Sequence, residues 1–189
     1  MARHVKTRAR RMQTWLVVAW SLPAAFQAAA AEELAVPAWF EAHLSELTDG
    51  GGRWIAGNAA YRGDGEPYEV YGIEWRRALS DHSVTGRLFG FQDGRQTEDF
   101  WEFRIYWDGA ARTGVIEQFN GAGVVGRGSL VGFGPATLTD QTFTDPRGRQ
   151  WRELHHAWFE GDVYVTQSYD WEDGSWVPRR AYRWKQIDR

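Results

Sequence analysis

The stretch TEDFWEFRIYWDGAARTGVIEQFN, residues 97–120, decides how the rest of the chain is read. Trp101, Phe103, Ile105 and Trp107 recur at every second position, so an extended strand puts them on one face. Glu102 and Arg104 fall on the other face, between Phe100 and Tyr106. Asp108-Gly109 follows as a turn signal and is expected to supply the positive-φ residue of a tight hairpin. The unit is therefore two strands, one side aromatic and the other charged.

Working outward, the same unit repeats. Upstream lie 52–62 (GRWIAGNAAYR), 68–79 (YEVYGIEWRRAL) and 83–92 (SVTGRLFGFQ), separated by Gly63-Asp64-Gly65, Ser80-Asp81-His82 and Asp93-Gly94. Downstream lie 124–133, 136–144, 150–159, 163–171 and 176–186, with Gly134-Pro135, Asp145-Pro146-Arg147-Gly148, Glu160-Gly161-Asp162 and Asp173-Gly174 between them. Turn signals at intervals of roughly 8–12 residues mark an all-β domain, and turns this short make neighbours antiparallel. About ten such strands build either a sandwich or a barrel. Hairpins throughout favour a closed up-and-down barrel, because closure removes exposed edges. Glycines inside the strands (Gly57, Gly72, Gly86, Gly90, Gly114, Gly126, Gly128) suit strongly bent ones. One helix is expected, over 32–48, with Pro37 in its first turn and Trp39, Phe40, His43, Leu44 and Leu47 as its apolar stripe.

The N-terminus has a different grammar. Arg3, Lys6, Arg8, Arg10 and Arg11 precede an apolar run, WLVVAWSLPAAF, and then Ala28-Ala29-Ala30-Ala31. That order is a secretory signal peptide cleaved near Ala30. A membrane anchor is the other reading, but the run is short and contains Pro23. Arg10-Arg11 hints at a twin-arginine signal. The expected organisation is a signal peptide over 1–30, a capping helix and linker over 31–51, and the barrel over 52–189. The mature protein is expected in the periplasm or outside the cell, with no membrane span.

Five of the 22 basic residues and none of the 25 acids lie in this leader, so its removal takes the formal net charge from −3 to −8. An acidic protein gains nothing from counterion release, which argues against nucleic acid as a partner. Arg179, Arg180 and Arg183 read as a solvated strand face. Cysteine is absent, which excludes disulfides, thiol catalysis and thiolate metal sites.

Two Glu-aromatic-Arg triplets stand out, Glu74-Trp75-Arg76 and Glu102-Phe103-Arg104. Turned inward, their charges would form buried ion pairs able to meet a polar ligand. Turned outward, they are cross-strand surface pairs, and Trp75, Trp101, Phe103, Ile105 and Trp107 line an apolar interior. The candidate ligand-binding set is Trp75, Trp101, Phe103, Trp107, Glu74, Glu102, Arg104 and Tyr169. Ten of the twelve tryptophans lie beyond the leader, most of them expected in core packing. His155 and His156 are adjacent, so a strand turns them to opposite faces and they cannot chelate one metal together. Gly121-Ala122-Gly123-Val124-Val125-Gly126 spells a dinucleotide fingerprint but opens a strand, which offers no helix N-terminus to a pyrophosphate. Ser129 has Arg127 where a nucleophile elbow needs glycine. Acid–base chemistry would draw on Glu74, Glu102, Glu117 or Glu153 with Tyr106, Tyr169 or Arg180.

A short helix, Gly52-Arg53-Trp54 opening the first strand, and an antiparallel meander read over 37–186 resemble the calycins. That group includes lipocalins, fatty-acid-binding proteins and nitrobindin-like haem barrels, and the chain looks most like an exported lipocalin-like barrel of bacteria. The resemblance implies that Trp54 packs across the barrel floor and that a small, largely apolar or amphipathic molecule binds in the cavity. It also implies two alternatives. One is a barrel enzyme (isomerase, cyclase or hydrolase) using cavity Glu and Arg. The other is a haem barrel with His155 or His156 as the single ligand. No cofactor is expected on the leading reading.

Overall fold

The computed structural model describes residues 36–79 and 82–187. The leader expected over 1–30 and the first residues of the helix expected over 32–48 lie outside the described residues. Helix α1 spans Ala38–Thr48. It starts just after Pro37, which is extended (φ −63°, ψ 143°) and precedes the first turn instead of belonging to it. A single 3₁₀ turn, Asp49–Gly51, ends the helix, and Gly52 is left-handed at φ 68°. A Cβ on Gly52 would lie 2.2 Å from the Trp75 carbonyl oxygen, so only glycine fits this link between helix and sheet.

Ten strands follow: β1 Arg53–Gly57, β2 Val70–Ala78, β3 Ser83–Gln92, β4 Arg95–Asp108, β5 Thr113–Asn120, β6 Val125–Phe133, β7 Ala136–Thr144, β8 Gln150–Glu160, β9 Val163–Glu172 and β10 Ser175–Gln186. Each pairs antiparallel with its sequence neighbour, and β1 pairs with β10 to close the ring. The protein is a closed ten-stranded antiparallel barrel, with one short helix before its first strand among the described residues, consistent with a calycin-like fold.

Two local expectations are corrected. The hairpin after β4 is not a two-residue turn on Asp108-Gly109. Asp108 Oδ1 accepts from the Ala110 and Ala111 N–H groups at 3.0 and 2.9 Å, the loop runs four residues, and the left-handed residue is Arg112 at φ 53°. The first strand ends at Gly57 instead of 62. Asn58 pulls the chain aside, its Nδ2 donating to Glu66 Oε1 and the Tyr68 carbonyl, both at 3.1 Å.

The helix closes one end of the barrel. Phe40, Leu44 and Leu47 are fully buried, each contributing about 1.5–3 kcal/mol of hydrophobic stabilisation. Phe40 meets the Trp107 ring at 5.4 Å, and Trp39 meets it edge-on at 6.2 Å. Trp54 donates its indole N–H to the Leu47 carbonyl at 3.0 Å and packs against the stacked pair Phe159 and Tyr164. The opposite end carries the 58–69 segment and the turns at 93–94, 121–124, 145–149 and 173–174.

Candidate functional site

Pairing register turns alternate residues of every strand inward, and together they enclose a cavity of about 340 Å³. Its two sides differ. On β2 to β4 the lining is Tyr71, Ile73, Trp75, Leu88, Trp101, Phe103 and Ile105. A bulge at Leu88/Phe89 adds Phe100 beside Trp101. Opposite, β7 contributes Thr137, Thr139 and Gln141, while β8 and β9 contribute Glu153, His155, Thr166 and Ser168. In a ten-membered ring β7 lies directly across from β2. The polar side chains of the lining therefore gather opposite the β2 to β4 aromatics, interleaved with Phe143, Trp151, Ala157 and Tyr164.

Register binds the polar wall together. Thr139 pairs with His155 and Gln141 with Glu153, and His155 pairs onward with Ser168. Gln118 reaches over from β5 and donates to Gln141 Oε1 at 3.2 Å. His155 Nε2 lies 3.8 Å from Glu153 Oε2, and the Trp151 indole donates to Glu153 Oε1 at 2.7 Å. Burial lowers the His155 pKa to about 4 and does the same to His43, which the helix presents to the cavity floor. About 31% of the His155 side chain remains accessible, and that surface faces the lumen. Burial also pushes the Glu153 carboxyl up, with Asp170 reinforcing it and the Trp151 bond opposing it.

Three buried polar atoms of this lining have no hydrogen-bond partner among the described residues: Gln141 Nε2, Thr139 Oγ1 and Trp75 Nε1. Their residues are 1%, 7% and 5% exposed. Leaving such a group unsatisfied costs about 1–3 kcal/mol, and because each of these atoms is closed off from the lumen, that cost is borne inside the packed wall.

At the mouth β10 bulges between Pro178 and Ala181. Proline has no N–H for the ladder, and the bulge turns Arg180 toward the lumen and Arg179 onto Asp170 at 2.6 Å. Arg180 does not remain available to a ligand: two nitrogens hold Glu66 at 2.5 and 2.6 Å. That bond raises the guanidinium pKa further. Burial alone would raise Glu66, but bonds from Arg180, Tyr71 and Asn58 outweigh it and hold its carboxyl below the usual range.

Of the candidates read from sequence, Trp75, Trp101 and Phe103 line the lumen. Trp107 belongs to the plugged end, under Trp39 and Phe40, because β4 runs the full height of the barrel. Glu74, Glu102 and Arg104 point outward. Glu74 accepts from Arg76 and Arg87, and Arg87 also holds Asp99, in an ion-pair cluster on the outer wall beside Glu102. Arg104 is exposed between Thr85 and Glu117. Tyr169 has the parity opposite to Thr166 and Ser168 and also lies outside. Among the acid–base candidates Glu153 and Arg180 reach the lumen, while Glu117 and Tyr106 bond each other on the outer face. His155 points in, and His156 lies tilted against the Trp158 ring at 4.7 Å.

Gln118, Thr137, Thr139 and Gln141 were not singled out. One signal was available. Gly126 and Gly128 of β6 take alternate positions paired with Phe143 and Gln141, and glycine inside a strand marks close approach of a neighbour, here the Phe143 ring and the β7 backbone at Asp140.

Fold and lumen together define a closed ten-stranded barrel with an internal cavity of mixed polarity, consistent with a calycin-like fold. No family model and no curated protein sequence matches the chain.

Proposed function

We propose that this is an exported lipocalin-like barrel that holds one small amphipathic molecule in its lumen. The guest's apolar body lies along Trp75, Trp101 and Phe103, and its polar end meets the β7–β8 wall. The observation that carries the reading is the cavity itself: about 340 Å³, inside the usual small-molecule range of roughly 300–1,000 Å³, with aromatic and polar side chains both on its lining. Trp54, sealed over the floor by its bond to Leu47, supports the lipocalin-like reading. Haem is a poorer fit, because its propionates need cations and the one arginine lining the lumen among the described residues is taken by Glu66.

One preparation tests both halves. The full chain is expressed and recovered from the periplasmic or culture fraction, where its N-terminus is expected near residue 31. That material is then titrated with retinol, a fluorescent fatty acid and an anilinonaphthalene sulfonate. Saturable quenching of tryptophan fluorescence by at least one probe is expected, since Trp75, Trp101, Trp151 and Trp184 line the lumen. Flat titrations with all of them would remove the binding proposal. The Glu153–His155 contact keeps acid–base catalysis as a second reading. Turnover of a bound guest, lost in Glu153→Gln while binding persists, would put catalysis first.

A further inference from the structure

The charges that face the lumen do not cancel. Burial keeps the imidazoles of His43 and His155 neutral at pH 7.5 and pushes the phenols of Tyr71, Tyr164 and Tyr182 up. None of these five carries charge, which leaves Arg180 and Glu153 among the described residues of the lining. Arg180 is matched by Glu66 through two bonds of 2.5 and 2.6 Å. Glu153 has no such partner. Its Oε1 accepts from the Trp151 indole at 2.7 Å, a neutral donor, and the imidazole 3.8 Å from its Oε2 is uncharged. Oε2 accepts no hydrogen bond among the described residues, and unlike Gln141 Nε2 it is not closed off from the lumen.

Its place in the barrel matters as much as its charge. From the mouth toward the plug, β8 turns Trp151, Glu153, His155 and Ala157 inward, so the carboxylate lies one layer below the rim. A guest with its apolar body deeper in the lumen keeps its polar end at that height. The rim offers no spare cation there. Arg149, 6.0 Å over the Trp151 ring, is paired with Asp145, and Arg179 is shared between Asp170 and Glu172. Asp170 is the cross-strand neighbour of Glu153 and adds to burial in pushing its carboxyl up, against the Trp151 bond and Arg180. A half-buried carboxylate without a counter-charge is costly to hold. A second carboxylate would repel it, and a hydroxyl would satisfy Oε2 but leave the charge. A protonated amine supplies donors and the opposite charge together.

We propose that the lumen takes organic amines in their protonated form, with Glu153 as the counter-ion near the mouth and the aromatics of β2 to β4 covering the apolar body. This rests on the binding reading above and names the ligand class for it.

The test keeps the body constant and changes its end. 2-Naphthylmethylamine, 2-naphthalenemethanol, 2-ethylnaphthalene and 2-naphthoate are titrated into the purified mature protein at pH 7.5, read by calorimetry and tryptophan fluorescence. The amine is expected to bind about tenfold or more tighter than the alcohol, with naphthoate weakest. Glu153→Gln removes the charge and keeps an oxygen for the Trp151 indole. It should bring the amine down to the level of the alcohol and leave 2-ethylnaphthalene unchanged, which also shows that the variant's lumen is intact. An alcohol that matches the amine in the wild-type protein overturns the proposal while binding stands, as does a naphthoate that binds tighter. An amine advantage that survives Glu153→Gln overturns it too, because the counter-ion is then another group. Should the variant fail to fold, the wild-type ranking of amine against alcohol still decides. If no compound saturates, the binding reading itself falls and this inference with it.

Discussion

His43 shows how a single residue ties the plug to the chemistry of the lumen. It is the polar member of an otherwise apolar helix stripe, buried between Phe40, Leu44 and Leu47. Its pKa is pushed down to about 4 by burial, against roughly 6.5 in an unfolded chain. Between those values the unfolded chain binds the proton that the folded one refuses. The stability held by a neutral His43 is therefore complete above about pH 6.5 and is lost as pH falls toward 4. From pH 7 to pH 5 the loss is roughly 2 kcal/mol for this one group. Glu153, pushed up by burial, works in the opposite sense, so the wild-type slope alone does not isolate the histidine. Urea midpoints at the two pH values for wild type and His43→Leu do. The variant is expected to lose about 2 kcal/mol less than wild type over that interval, and equal losses in both would refute the assignment. At this scale the sequence was only partly legible. Trp75 and Phe103 announced the inner face by alternation, but Thr139 and Gln141 sit in a strand whose two faces are both mixed, so period alone does not tell which one meets the lumen.

Strands and turns were far more legible, because each rests on short-range chemistry. Asp93-Gly94 and Asp173-Gly174 take positive φ at both residues, as two-residue hairpins require. The 108–113 loop departed from that pattern because an aspartate side chain capped the backbone first. What the strand pattern does not reveal is why some inward positions are empty. Gly86 of β3 is one: a Cβ there would meet the Trp75 ring at 2.5 Å, and the indole lies across it to reach Phe103 at 5.4 Å. The absent side chain on one strand thus sets the position of a lumen aromatic on the next. Gly86→Ala is expected to shift the indole, destabilise the fold by about 1–3 kcal/mol and weaken binding of a naphthyl guest. Gly57→Ala is the control, since nothing lies within 4 Å of a Cβ there, and it should stay within about 0.5 kcal/mol of wild type. Equal effects of the two substitutions would mean that Trp75 is free to move without consequence.

For the whole molecule the decisive feature is how the ring is closed. β3 and β4 pair along almost their whole length, from Ser83–Tyr106 to Gln92–Arg95. The closing seam is much shorter: Trp54 pairs with Gln186 and Ile55 with Lys185, and the Ile187 N–H adds a bond to the Arg53 carbonyl. Beyond the end of β1 the seam continues through side chains. Arg180 grips Glu66, the Tyr182 hydroxyl donates to Asn58 Oδ1 at 2.9 Å, and the Ala181 N–H donates to the Tyr61 hydroxyl at 2.8 Å. These bonds clip the 58–66 segment to β10 at the rim of the lumen, so the wall nearest the mouth is held by ion pair and phenol, not by ladder. Regions with few ladder bonds open at lower free energy than the body of a sheet. Native-state hydrogen exchange should therefore find the β1 and β10 amides less protected than those of β3 and β4. Arg180→Gln should widen the gap, speeding exchange in β1, β10 and 58–69 by about three- to tenfold and leaving β3 and β4 unchanged, a modest effect because the pair is partly solvated. A uniform acceleration over all ten strands would show that the barrel opens only as one unit. The rim would then be no weaker than the wall, and a guest would have to enter through some other part of the molecule.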